Sequence, residues 1–131
     1  MSSGLDITPV VPAGKQVIGG YGDGAFTIGG RLYTGAVLVF PESTVTWQAS
    51  DPARLNVDSF QAVQAATDAF DILLVGCGPA FVPPPKGLRM GLKEQGLVME
   101  WMDTGAACRT FNVLLAEGRP TAAALLPVSV S

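Results

Sequence analysis

Histidine does not occur anywhere in the 131 residues. That absence removes Ser-His-Asp and Cys-His nucleophilic catalysis, the commonest acid–base group near neutral pH, and the imidazole ligands on which most protein zinc sites depend. Cysteine is scarce as well, limited to Cys77 and Cys108. Two separated thiols make no disulfide framework and, without histidine, no zinc site. The expectation is a reduced, cytoplasmic protein without metal or cofactor. Charged residues are only 15% of the chain, against about 25% in ordinary domains. They balance to −3, so the basic surface that nucleic-acid binding requires is not expected. The carboxylates are dispersed and offer no close acidic pair for metal-assisted or glycosidic hydrolysis. No apolar run approaches the roughly 20 residues that span a bilayer, so no transmembrane segment is expected. Residues 1–15 (MSSGLDITPVVPAGK) lack both the basic-then-apolar order of a signal peptide and the arginine-rich composition of a mitochondrial transit peptide.

The residues that are present are 48% apolar, with 16 Gly and 10 Pro, the composition of a compact, turn-rich chain. The length suits one domain, which buries about two-thirds of its unfolded surface without a covalent staple. Pro9, Pro12 and Gly14 mark residues 1–15 as a flexible N-terminal arm, leaving 16–131 as a single domain. In QVIGGYGDGAFTIGGRLYTGAVLVFP, short β-forming pieces at Val17-Ile18, Ala25–Ile28 and Leu32-Tyr33 are separated by Gly-Asp-Gly and Gly-Gly. This is hairpin chemistry. Ala36–Phe40 is continuously apolar, as in a strand buried on both faces, and a further β segment lies near Val45–Trp47.

From residue 57 the period changes. Phe60, Val63, Ala66 or Thr67, and Phe70 recur at helical spacing, with Asp58 or Ser59 as the cap. Ile72–Val75 reads as a buried strand, residues 86–95 as a helix entered through prolines and stopped by Gly96, and LVMEWM as another strand. A helix over 104–117 follows, capped by Asp103 or Thr104, with Ala107, Phe111, Leu114 and Leu115 as its apolar stripe. Ala122–Val128 is the last strand. This alternation predicts an α/β sandwich with a parallel or mixed central sheet, the hairpin region forming a separate small β layer or an edge extension.

In such sheets ligands collect beyond the carboxyl ends of strands. Two loops lie at such ends: Gly76-Cys77-Gly78-Pro79 and Asp103-Thr104-Gly105. If their strands are parallel, the loops share one edge of the sheet. The helix N-terminus and Arg109 then suit a small anion, although the Asp103 carboxylate competes for the same N–H groups and capping alone explains these residue types. Cys108 is expected to pack inward and stay inert. Cys77, between two glycines, has the better prospect of exposure and reactivity. GGYGDG supplies only G-x-G-x-G inside a hairpin, and no G-x-x-x-x-G-K-[ST] occurs, so nucleotide binding is rejected. Lys86, Arg89 and Lys93 fall on one helix face, which reads first as a solvated face and, as the sharper alternative, as a docking strip for an acidic partner.

MDTGAACRTFNVLLAEGR (102–119), Leu73-Leu74-Val75-Gly76-Cys77-Gly78, GYGDGAFTIGG and GAVLVFP resemble the Mth938-like domain family over about residues 16–128. That family includes the mitochondrial complex I assembly factor 3 as well as prokaryotic proteins of unknown function. The resemblance implies an α/β three-layer sandwich with a mixed central sheet and an additional small β layer, and no catalytic residues. It implies a non-enzymatic, protein-binding role, with respiratory complex I subunits as partners. The alternative from the residues themselves is an anion-binding or thiol-redox-linked domain built on the loops at 76–79 and 103–109.

Overall fold

The computed structural model describes residues 16–129; the N-terminal arm expected at 1–15 lies outside them. The glycine-rich start folds as two consecutive hairpins. β1 (Ile18–Gly22), β2 (Ala25–Ile28) and β3 (Arg31–Thr34) form a three-stranded antiparallel sheet. The first turn uses φ of 142°, 54° and 75° at Gly22, Asp23 and Gly24. This left-handed backbone explains the Gly-Asp-Gly sequence, and no helix follows it, so it is not a phosphate loop.

The remaining strands are β4 (Val37–Val39), β5 (Thr44–Thr46), β6 (Ile72–Gly76), β7 (Met99–Met102) and β8 (Thr121–Leu125). They form a five-stranded sheet in the order β5-β4-β8-β6-β7. β6 pairs in parallel with β7 and β8, whereas β4 is antiparallel to β5 and β8. The central sheet is therefore mixed, as expected. β8 sits in its middle and is buried along its whole length; the alanines at 122–124 let layers approach closely on both faces.

Alternation along the strands divides the core in two. Leu38, Leu73, Val75, Ala122 and Ala124 face one side, where they meet Phe60, Val63, Leu88 and Leu92. Val37, Val39, Leu74, Ala123 and Leu125 face the other, packing on Ala107, Phe111 and Leu115 and on Ile18, Phe26 and Ile28 of the small sheet. The result is three layers: short helices, central sheet, and a third layer in which α3 (Thr104–Ala116) lies beside the three-stranded sheet.

Three segments depart from expectation. The helix over 57–70 is broken into a 3₁₀ turn at Val57–Phe60, the short α1 (Gln61–Gln64) and a second 3₁₀ turn at Thr67–Ala69. Its apolar residues still point inward, but the cap is Asn56 rather than Asp58 or Ser59. The Asn56 side chain accepts from the Ser59 N–H at 3.1 Å while the Asn56 N–H donates to the Ser59 hydroxyl at 3.0 Å. The helix expected at 86–95 is shorter: α2 spans Leu88–Glu94, entered through Gly87 at φ 83°. Backbone of that hand cannot be a helical turn, so Lys86 lies outside the helix. The last strand ends at Leu125 rather than Val128. Leu126 N–H then donates to the Gly76 carbonyl and the Val128 carbonyl accepts from Gly24.

Candidate functional site at the ends of two parallel strands

Because β6 and β7 are parallel neighbours, the loops that follow them emerge at the same end of the sheet. Their meeting is direct. Thr104 N–H donates to the Gly78 carbonyl at 2.9 Å. The Thr104 hydroxyl accepts from Gly78 N–H at 2.9 Å and donates to the Leu126 carbonyl at 2.7 Å. One buried hydroxyl thus ties the strand exits of β6, β7 and β8 together. Gly76 is needed for this closeness, because a Cβ there would stand 2.9 Å from both Cα and Oγ1 of Thr104, inside any normal contact.

Asp103 is the N-cap of α3, accepting from Ala106 N–H at 2.9 Å. Its carboxylate takes one of the N–H donors that an anion would use, and the Thr104 N–H is already given to Gly78. Arg109 is exposed on the next turn. It lies near Gly105, where Tyr21 of β1 also presses: a Cβ on Gly105 would stand 2.6 Å from the Tyr21 hydroxyl. The arginine therefore belongs to the side of the sheet that carries the small β layer.

The two cysteines do not converge. Cys77 packs in the core on the α2 side and Cys108 in the core on the α3 side, with the central sheet between them. Cys77, which had the better prospect of exposure of the two, is instead buried at 2% exposure. The chain from Pro79 turns back over it, so that its Sγ donates to the Ala80 carbonyl and accepts from Val82 N–H, each at 3.5 Å. Cys108 is fully buried, and burial pushes its thiol up to about 12. Arg109 pulls the other way, and the Asp103 carboxylate adds a smaller part to the rise. At neutral pH such a thiol is protonated and neither nucleophilic nor metal-binding. Among the described residues no group of three acidic or thiol side chains is placed to hold a metal.

Lys86, Arg89 and Lys93 are all exposed, yet only Arg89 and Lys93 share α2. The Arg89 guanidinium reaches over the side of β7 and donates to the Met99 carbonyl. Two residues carry weight that the sequence pattern alone did not assign. Tyr21 stands over the start of α3. Asn112, buried at 2% exposure, accepts from Ile18 N–H at 2.9 Å and donates to the Ile18 carbonyl at 2.7 Å, pinning β1 onto α3. An amide beside Phe111 on an otherwise apolar helix face was the signal for the second.

A family model described as a protein of unknown function (DUF498/DUF598) matches residues 18–126. The chain belongs to this family. An uncharacterized protein of Rhodobacter capsulatus is 39% identical over 116 residues, 88% of each chain. The human protein named NADH dehydrogenase (ubiquinone) 1 alpha subcomplex assembly factor 3 is 32% identical over 115 residues, 88% of this chain. The match takes in 62% of the human protein's length. A solution structure from Bordetella pertussis, described as a Mth938-like domain, superposes with a TM-score of 0.75 at 25% identity, covering 94% of this chain and 92% of the other. The three-layer Mth938-like fold of this DUF498/DUF598 member thus agrees with the resemblance carried by its motifs. Among the described residues no helix is long and apolar enough to cross a membrane.

Proposed function

We propose that the protein is a non-enzymatic interaction module that assists the assembly of respiratory complex I in its host, working from the cytoplasm. The observation that carries this reading is the 32% identity to human complex I assembly factor 3 along 88% of this chain. The chemistry of the strand-end junction supports it. The hydroxyl of Thr104, the carboxylate of Asp103 and the Gly78 amide are engaged with one another or with nearby backbone, and both thiols are buried. Groups used this way hold loops together. The thiol-redox alternative loses ground for the same reason, because it needs a reachable thiolate. Deleting the gene in the native host and measuring assembled complex I by native gel and NADH oxidation tests the proposal. A reduced level of the intact complex, restored by the wild-type gene, is expected; an unchanged level overturns it.

A further inference from the structure

Protein-interaction modules of α/β type often recruit partners by adding a strand to an open sheet edge, and the central sheet ends in β5 on one side and β7 on the other. β7 has the features of a docking edge. In its parallel pairing with β6, Val98 and Met102 direct their carbonyls inward, accepting from Leu73 and Cys77 N–H groups. The backbone groups of Met99 and Trp101, one residue out of phase, therefore point away from the sheet. Among the described residues, the Arg89 guanidinium is the group that meets this outer row, at the Met99 carbonyl. Charged side chains laid over an edge in this manner are a common guard against indiscriminate pairing.

The surroundings define what would fit. On α2, Leu88 and Leu92 are buried and Gly91 faces Val57. Helical spacing then puts Arg89 and Lys93 together on the flank toward β7. α2 runs antiparallel to β7, so Lys93 lies one turn further toward the start of that strand. Exposed apolar side chains stand at both ends of the edge. Val98 precedes β7, while Phe81 and Val82 lie at its far end, where the Val82 carbonyl accepts from the Trp101 indole at 2.6 Å. Glu100 alternates with Met99 and Trp101 and so faces the opposite side of the sheet from the two cations.

We propose that the outer edge of β7 docks an acidic, extended segment of a partner protein. This segment adds a strand beside Met99–Met102 and sets its carboxylates on Arg89 and Lys93. Arg89 then exchanges the Met99 carbonyl for a carboxylate and frees that carbonyl for an incoming N–H. A second copy of this chain does not suit the edge. Antiparallel pairing of two β7 strands about a two-fold axis normal to the sheet would set Arg89 and Lys93, at the start of each strand, beside the other copy's strand end, where the apolar Phe81 and Val82 stand and the Asp103 carboxylate is held by Ala106 N–H. The inference rests on the interaction reading above and names the surface and the partner's chemistry.

The test uses an acetylated heptapeptide alternating valine and glutamate, with a valine–lysine peptide as control, titrated into the full chain and followed by backbone amide spectra. Saturable shifts confined to residues 81–82 and 98–102, with slowed hydrogen exchange at the Met99 and Trp101 amides, are expected for the glutamate peptide alone. The double variant Arg89→Glu, Lys93→Glu should bind it roughly tenfold more weakly. Lys93→Glu, whose side chain is exposed, keeps the test valid if loss of Arg89 disturbs the fold, and should weaken binding about threefold. No saturable binding, shifts mapping elsewhere, or equal binding of the lysine peptide would overturn the proposal. In the host, a deletion that lowers complex I but is fully rescued by the double variant would sink the β7 edge and leave the assembly reading standing. A deletion without effect would sink the assembly reading itself.

Discussion

Replacing Thr104 by valine separates a structural role for the strand-end junction from a ligand-binding one. The swap keeps the side chain's shape and removes the hydroxyl. In the native structure that hydroxyl accepts from Gly78 N–H at 2.9 Å and donates to the Leu126 carbonyl at 2.7 Å, at a residue with no exposed surface. Both partners are then left without the hydroxyl. An unsatisfied buried polar group costs about 1–3 kcal/mol, so the pair should cost about 2–4 kcal/mol. For a domain of this size, 1 kcal/mol shifts the melting temperature by roughly 3–5 °C, and a drop of about 10 °C is expected. Thr104→Ser keeps both hydrogen bonds and loses one buried methyl, costing about 1 kcal/mol. The assay is thermal unfolding of the three proteins, repeated in urea so that the midpoint and slope are read separately. The order wild type, serine variant, valine variant is the expected outcome. A valine variant as stable as wild type, or more stable than the serine variant, would refute the idea that this hydroxyl ties three strand exits together.

Two further perturbations test neighbouring claims. Cys108 has a folded pKa of about 12 against an ordinary value of 9.0. The folded state therefore holds its proton while the unfolded state releases it. Sign follows directly: this contribution is fully present below about pH 9 and lost as pH rises toward 12. Urea midpoints should decline across that window, less steeply in Cys108→Ala after allowing for its cavity, and native-state alkylation of Cys108 should proceed only as fast as the protein opens. Asn112→Leu removes both hydrogen bonds to Ile18. A loss of about 2–4 kcal/mol is expected, with hydrogen exchange at Ile18 accelerating more than at Leu74 in the central sheet; equal acceleration at both would argue against a specific pin between β1 and α3.

Much of the fold was legible because each signal was local. Gly-Asp-Gly demands positive φ, and the structure uses it there. Asp103 was one of two candidate caps, and its carboxylate is the one on Ala106 N–H. The continuous apolar run around Val37–Val39 is buried on both faces. The helix at 57–70 failed because its inward-facing stripe is equally well served by 3₁₀ turns, and periodicity does not distinguish them over a few residues. Lys86 was misplaced for a related reason: only the backbone of Gly87 decides whether the turn before α2 belongs to the helix.

The sequence by itself determined the chemistry available. Without histidine and with two isolated thiols, no arrangement of this chain supplies an imidazole base or ligand. Its alternation of β and helical periods also determined the layered α/β architecture, because periodicity dictates which side chains share a face. Only the tertiary structure decided what the candidate residues do. Cys77, between its glycines, had the better prospect of exposure, yet a loop from Pro79 covers it, and a covering contact is not encoded in the covered residue. Thr104 was one of two candidate caps, whereas its hydroxyl joins Gly78 and Leu126, partners distant in sequence. The opening of the β7 edge was likewise invisible beforehand, since strand order, and with it which strand ends the sheet, is fixed by long-range pairing.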